Sequence, residues 1–199
     1  MRLAVLNLVP TPYREPVYQA LSESPGLTLR GFYAQSRDSL RGWNTLQGRY
    51  DRVQLRCLTP EFLSSVPVLG LVNSGLADHF RRFSPDCLLI YGYSYLTQML
   101  AMRWAIRRRV PYLLWGDSNR HTLAASGPMS PFKDTVLRYF CRHAAGALTI
   151  GTENEQFWSY YGIEPERQFR SPLAVDNHLF ATGANRIRQQ KTMHRQRLG

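Results

Sequence analysis

SPDCLLIYGYSYLTQMLAMRWAIRRRVPYLLWGDSNRH, residues 84–121, is the stretch that decides the fold. Two short apolar runs, Cys87 to Tyr91 and Tyr112 to Trp115, each end in glycine, and a helix-length segment separates them. In that segment Leu96, Met99, Leu100, Met102 and Ile106 recur at mostly three- and four-residue steps, leaving Arg103 and Arg107 to Arg109 for solvent. The pattern predicts one βαβ unit. Strands that read as continuous apolar runs are buried on both faces, so the sheet is expected to be parallel and covered by helices. Its polar strand ends, Gly92 to Tyr95 and Gly116 to Asn119, then lie on the edge where such sheets bind ligands.

Outward from this unit, the chain continues the alternation. Arg2 to Val9 reads as an opening strand, stopped by Pro10-Thr11-Pro12, and Glu15-Pro16 starts a helix that ends at Pro25-Gly26. Strand, loop and helix start make an anion-holding geometry, although the glycine fingerprint of dinucleotide sites is absent. Leu27 to Ala34 and Asp51 to Cys57 alternate as strands, with loops expected over 35–50 and 58–70, and Leu71 to Phe83 reads as a helix. A long loop, 116–130, precedes a helix from Pro131 to Arg142, a strand from Ala144 to Ile150, a helix closed by Gly162, and an edge strand within Phe169 to Val175. The residues after Gly183 read as a basic linker or partly ordered helix. The expected class is therefore α/β, a Rossmann-like three-layer domain with a mainly parallel sheet.

With 199 residues, one core is the better prior. Arg outnumbers Lys 23 to 2 and the net charge is +11. Five of the basic residues lie in 183–199, which hold no acidic ones, so residues 1–182 keep an excess of six. Such a surface favours phosphate-bearing ligands, acidic membrane or nucleic acid. No nucleic-acid motif accompanies it, which ranks that partner low. Arg103, Trp104 and Arg107 to Arg109 read either as an anionic-membrane patch or as a solvated helix face. No apolar segment reaches the roughly 20 residues of a membrane span. The three cysteines show no metal-ligand spacing, and a cytoplasmic protein, peripheral on the inner face of a membrane, is expected.

Taken in order, these pieces resemble the N-terminal half of two-Rossmann-domain (GT-B) glycosyltransferases, specifically the family-four enzymes of cell-envelope polysaccharide synthesis. The resemblance rests on Pro10-Thr11-Pro12-Tyr13-Arg14, Pro85-Asp86 before a strand ending in Gly92-Tyr93-Ser94, and Val110-Pro111-Tyr112 leading to Trp115-Gly116-Asp117-Ser118. It continues in Gly151-Thr152, Tyr161-Gly162-Ile163 and Pro172 to Asn177 with Phe180. It implies an acceptor domain over 1–180 and a basic linker, 181–199, toward a donor domain that this chain lacks. The reaction implied is sugar transfer from a nucleotide sugar to a saccharide or lipid-linked acceptor, with retention, without a cofactor or metal, and without turnover by this half alone.

The resemblance also implies roles. Asp117 is the candidate catalytic residue, the alternative being that it only caps a loop turn. Tyr13 and Arg14 are acceptor or phosphate contacts, or else a packed tyrosine and a surface arginine. Gly92, Tyr93, Ser94 and Tyr95 form a turn, with a tyrosine available to stack on a sugar; Ser118 and Asn119 join the acceptor set, and His121 contacts the acceptor or else is a solvated loop histidine. Gly151, Thr152, Asp176 and Asn177 face the interdomain cleft, with helix capping by Thr152 as the alternative. Two other classes stay open: a non-catalytic module that binds an acceptor, a membrane or a partner, and an unrelated single-domain Rossmann-like enzyme.

Overall fold

The computed structural model describes residues 1–35, 48–60, 70–119, 131–189 and 195. Seven parallel strands form one sheet: β1 (Arg2–Asn7), β2 (Thr28–Tyr33), β3 (Asp51–Gln54), β6 (Cys87–Tyr91), β7 (Tyr112–Trp115), β8 (Gly146–Thr149) and β9 (Gln168–Arg170). Their spatial order is β3-β2-β1-β6-β7-β8-β9, so the order in which strands are added reverses between β1 and β6. A two-residue antiparallel pair, β4 (Arg56–Cys57) with β5 (Asn73–Ser74), lies outside the sheet. The helices are α1 (Glu15–Ser22), α2 (Leu76–Phe83), α3 (Leu96–Arg108), α4 (Pro131–His143), α5 (Thr152–Tyr160) and α6 (Asn177–Gln189). This is a Rossmann-like α/β domain, as the βαβ reading of residues 84–121 predicts.

Right-handed crossovers send helices to one face for strands left of β1 and to the other for strands right of it. The core divides accordingly. On one face Leu3, Val5, Leu29, Leu89 and Trp115 pack with Tyr18 of α1. On the other, Ala4, Leu6, Phe32, Leu88, Ile90, Tyr112, Leu114 and Ala147 meet α2, α3, α4 and α5. Successive strand residues alternate between the two clusters because strand side chains point to opposite faces.

Two elements depart from the sequence reading. Helix α2 begins at Leu76, because residues 71–75 are held as extended chain: Thr97 Oγ1 accepts the Asn73 N–H at 3.1 Å, and Asn73 Nδ2 donates to the Ala34 carbonyl at 2.8 Å. That buried polar network outweighs the local apolar pattern. In α3 the buried face is Thr97, Gln98, Ala101, Met102 and Ala105, while Leu100 is exposed. Small and hydrogen-bonded residues let this helix lie close to the sheet, which apolar periodicity alone does not reveal. At the end of the chain, α6 continues past Gly183, the helical one of the two forms that the sequence offered for this segment.

Candidate functional site

The C-terminal ends of β1 and β6 border the point where the strand order reverses, the place where open α/β sheets bind ligands. After β1, the prolines at 10 and 12 turn the chain, and Thr11 O accepts the N–H groups of Arg14 and Glu15, both at 3.1 Å. This places Arg14 directly before α1 and over the sheet edge. Its guanidinium lies 3.3 Å from the centroid of Tyr91 at the end of β6, 4.9 Å from Tyr13 and 5.7 Å from Trp115 at the end of β7. Arg14 is therefore buried, not the surface arginine of the alternative reading.

No described carboxylate pairs with Arg14, and its Nε has no hydrogen-bond partner among the described residues. The same holds for three neighbouring buried polar atoms: Asn7 Oδ1, Thr11 Oγ1 and Trp115 Nε1. Orphaned buried polar atoms are uncommon, and each costs about 1–3 kcal/mol. All four belong to the ends of β1 and β7 and the loop after β1. Asp117 is exposed just beyond β7 and acts on the Tyr91 hydroxyl through charge and a hydrogen-bond contact. Burial pushes Tyr91 up to about 12, Arg14 opposes this, and Asp117 adds to it. Tyr91 thus stays neutral at physiological pH, between a buried cation and an exposed carboxylate.

Behind Arg14, the first residue of α1 is locked in place. Glu15 is buried and accepts hydrogen bonds from Tyr33 Oη (2.5 Å), Tyr50 Oη (3.0 Å) and Arg52 Nη1 (3.3 Å). Burial raises both tyrosines above their ordinary range, and the Glu15 charge adds to it. The sequence placed a carboxylate at this helix end but held no sign of its partners, which come from β2, β3 and the residue before β3. Asn7, likewise unforeseen, donates to the Tyr18 hydroxyl at 2.8 Å.

The other candidate residues occupy the same sheet edge with varied surroundings. Gly92 takes φ +77°, a turn that an L side chain rarely adopts. Tyr93 stacks on Phe157 with centroids 5.8 Å apart and contacts Ser118 Oγ through its hydroxyl at 2.9 Å, so one ring face is already covered. Ser94 is half-buried, and Tyr95 precedes α3, its N–H donating to Gln98 Oε1 at 2.9 Å. Asn154 of α5 ties the Ser118 carbonyl at 2.6 Å and accepts from Trp158 Nε1 at 3.2 Å; it is a clamp that the sequence reading did not single out. Asn119 is half-buried, and His121 lies outside the described residues.

Gly151 and Thr152 open α5 beyond β8, on the same edge, and no side chain caps this helix. From Thr152 a groove of about 620 Å³ runs between α5 and β9, past Glu155 and Gln168. It does not include the Arg14 seam. Asp176 and Asn177 stand at the start of α6. Among the described residues no three His, Cys, Asp or Glu side chains gather closely enough to hold a metal ion.

No family model and no curated protein matches the sequence. Solved structures do match the fold. The UDP-GlcNAc 2-epimerase of Neisseria meningitidis, bound to UDP-GlcNAc, is similar with a TM-score of 0.61 at 14% identity, over 98% of this chain and 53% of its own. HepE from Anabaena, in complex with UDP and glucose, gives a TM-score of 0.58 at 12% identity, over 96% and 50%. MnaA from S. aureus, in complex with UDP, gives 0.53 at 16%, over 84% and 42%. The chain spans about half the length of these proteins, and its fold is that of a GT-B-like half-domain.

Proposed function

We propose that this chain forms one wall of a nucleotide-sugar cleft in a GT-B-type glycosyltransferase of the family-four kind, transferring a sugar to a saccharide or lipid-linked acceptor in polysaccharide synthesis. The observation that carries the reading is Arg14: a buried guanidinium, unpaired with any described carboxylate, at the strand-order reversal and within one tyrosine of Asp117. A buried cation with no counter-charge among the described residues is suited to an anionic ligand, and stabilisation of a departing diphosphate is what sugar transfer requires. Asp117 then faces the reacting sugar and acceptor hydroxyl, with Tyr13, Gly92 to Tyr95 and Ser118 to His121 shaping the acceptor side. Gly151, Thr152, Asp176 and Asn177 face a second domain that grips the donor. The fold shared with structures containing UDP and UDP-sugars supports this reading.

The test is a titration of the chain with a UDP-sugar and with inorganic diphosphate, followed by amide NMR. Shifts are expected at residues 7–14, 91–95 and 115–119. Arg14→Met should weaken diphosphate binding about ten- to a hundredfold, the range for a hydrogen bond to a charged group, whereas Asp117→Asn should leave it within about twofold. Shifts confined to other segments, or an Arg14→Met variant that binds as the parent does, would overturn the assignment. The chain alone is expected to transfer no sugar; turnover would refute the two-domain part. A second reading, an epimerase acting on the sugar ring, is favoured by the epimerases among the similar structures. Release of an epimerised UDP-sugar without any acceptor, once the cleft is completed, would select it.

A further inference from the structure

Arg14 and Glu15 are consecutive, oppositely charged and both buried, yet their partners lie on opposite sides of β1. Arg14 lies against Tyr91 and Trp115, on the β6 side, whereas Glu15 is held by Tyr33 and Arg52, on the β2 side. The strand register builds the seat beneath them. Asn7 pairs with Tyr33, Tyr91 pairs with Trp115, and the pairing of Leu6 with Ile90 sets β1 against β6, so Tyr33, Asn7, Tyr91 and Trp115 stand in one row across four strands. Tyr33 donates to Glu15, Asn7 donates to Tyr18, and the other two rings carry Arg14. In the eight residues of α1 the buried side chains are Glu15 and Tyr18. A helix this short has little stability of its own, so its first turn sits where these polar groups hold it. Room for them is made in β2, where a Cβ on Gly31 would meet Tyr50 at 3.0 Å and Tyr33 at 3.1 Å.

We propose that Glu15 is a positioning residue for anion binding: through Tyr33, Tyr50 and Arg52 it fixes the first turn of α1 so that the Arg14 guanidinium is held over Tyr91. The inference rests on the reading of Arg14 as the anion contact. Two considerations separate it from a role in stability alone. Replacing a buried charge network by well-packed apolar residues is commonly neutral or stabilising, so fastening a helix does not call for a carboxylate with two phenols and a guanidinium. The charges also divide in a way that favours an anion at Arg14. Arg52 lies 3.3 Å from the Glu15 carboxylate and balances it, which leaves Arg14 as the uncompensated charge among the described residues of the seat. A guanidinium already oriented meets its ligand without the ordering cost that a free arginine incurs, and a displacement of about 1 Å is enough to lose much of that gain.

The experiment compares the full parent chain with Glu15→Ala, Glu15→Gln, Arg14→Met and the double variant Arg14→Met with Glu15→Ala, by two readouts. Without ligand, NMR reads the Arg14 Nε–H and δ-methylene protons, which the Tyr91 ring current displaces because the guanidinium lies 3.3 Å from its centroid. With inorganic diphosphate, titration reads affinity. Glu15→Ala is expected to move the Arg14 resonances toward ordinary arginine values and to weaken diphosphate binding about tenfold. Glu15→Gln keeps an acceptor oxygen for the tyrosines and should stay within about threefold of the parent. In the Arg14→Met background Glu15→Ala should change affinity by no more than about twofold, because the effect acts through Arg14. Should Glu15→Ala fail to fold in a thermal melt, Tyr33→Phe removes one donor without opening a cavity and should move both readouts the same way, by about threefold in affinity. Arg14 resonances unmoved in Glu15→Ala or Tyr33→Phe, equal losses in the alanine and glutamine variants, or losses that add to that of Arg14→Met would each overturn the positioning role. A parent chain that binds no diphosphate would instead overturn the reading of Arg14 as the anion contact, and the Arg14 resonances would still decide whether Glu15 positions it.

Discussion

Gln98 ties the end of β6 to the start of α3. Buried in α3, it donates from Nε2 to the Tyr91 carbonyl and accepts the Tyr95 N–H, thereby closing the turn at Gly92 from both sides. A Cβ on Gly92 would meet Gln98 Nε2 at 2.6 Å in addition to the positive φ. Gly92→Ala is therefore expected to cost about 2–3 kcal/mol, part conformational and part steric. Gln98→Ala should cost about 2 kcal/mol through two lost buried hydrogen bonds. The two substitutions touch the same space, so in the Gln98→Ala background Gly92→Ala should cost only about 1 kcal/mol. Urea unfolding of the four proteins measures this, and strict additivity would show that the turn does not depend on the contact.

At the scale of elements, β9 is a three-residue edge strand of the main sheet, paired with β8 on one side. It is fastened from outside: Arg170 Nε and Nη2 donate to the two carboxylate oxygens of Glu155, each at 2.9 Å, linking the strand to α5. The Arg170 hydrogen bond holds the Glu155 carboxyl below its ordinary value. Because the folded value is lowered, this contribution is present above the unfolded carboxylate range and is lost as pH falls through the folded value. Amide exchange of residues 168–170 is expected to quicken at acid pH in the parent chain. In Arg170→Ala it should be fast already at neutral pH and respond little to acid. Unchanged protection in that variant would mean that backbone pairing alone holds the edge. The pair is solvent-exposed, so the effect should be local, with global stability moving little.

The whole molecule is asymmetric about its sheet. Among the described residues, α2, α3, α4 and α5 pack on one face and α1 on the other, and the larger cluster carries most of the apolar burial. Phe80 sits at the centre of that cluster, fully buried, with Phe32 at 5.1 Å and Trp104 at 5.0 Å between centroids. Phe80→Ala removes an aromatic side chain where three rings interlock and should cost about 3–5 kcal/mol. Domains of this kind hold about 5–15 kcal/mol in total, so the variant should melt far below the parent by circular dichroism. A small shift would mean that α2 can collapse into the space.

Residues 84–121 carried the fold because apolar runs of strand length around a helix-length segment admit few arrangements in a chain of this size. Backbone hydrogen bonding and burial are local demands, written in local periodicity. The strand ends and the parallel sheet followed from the same logic. What surrounds Arg14 did not. Tyr91 and Trp115 are 77 and 101 positions away in the chain, and only the register of β1, β6 and β7 brings them to one guanidinium. The Glu15 cluster, the clamp by Asn154 and the polar buried face of α3 have the same origin. Each is a polar group satisfied by a partner from a distant element, and no periodicity records such a pairing. Local sequence determined which elements form and how they alternate, while the closing of the sheet decided which cations, carboxylates and rings meet, because that depends on contacts between strands far apart in the chain.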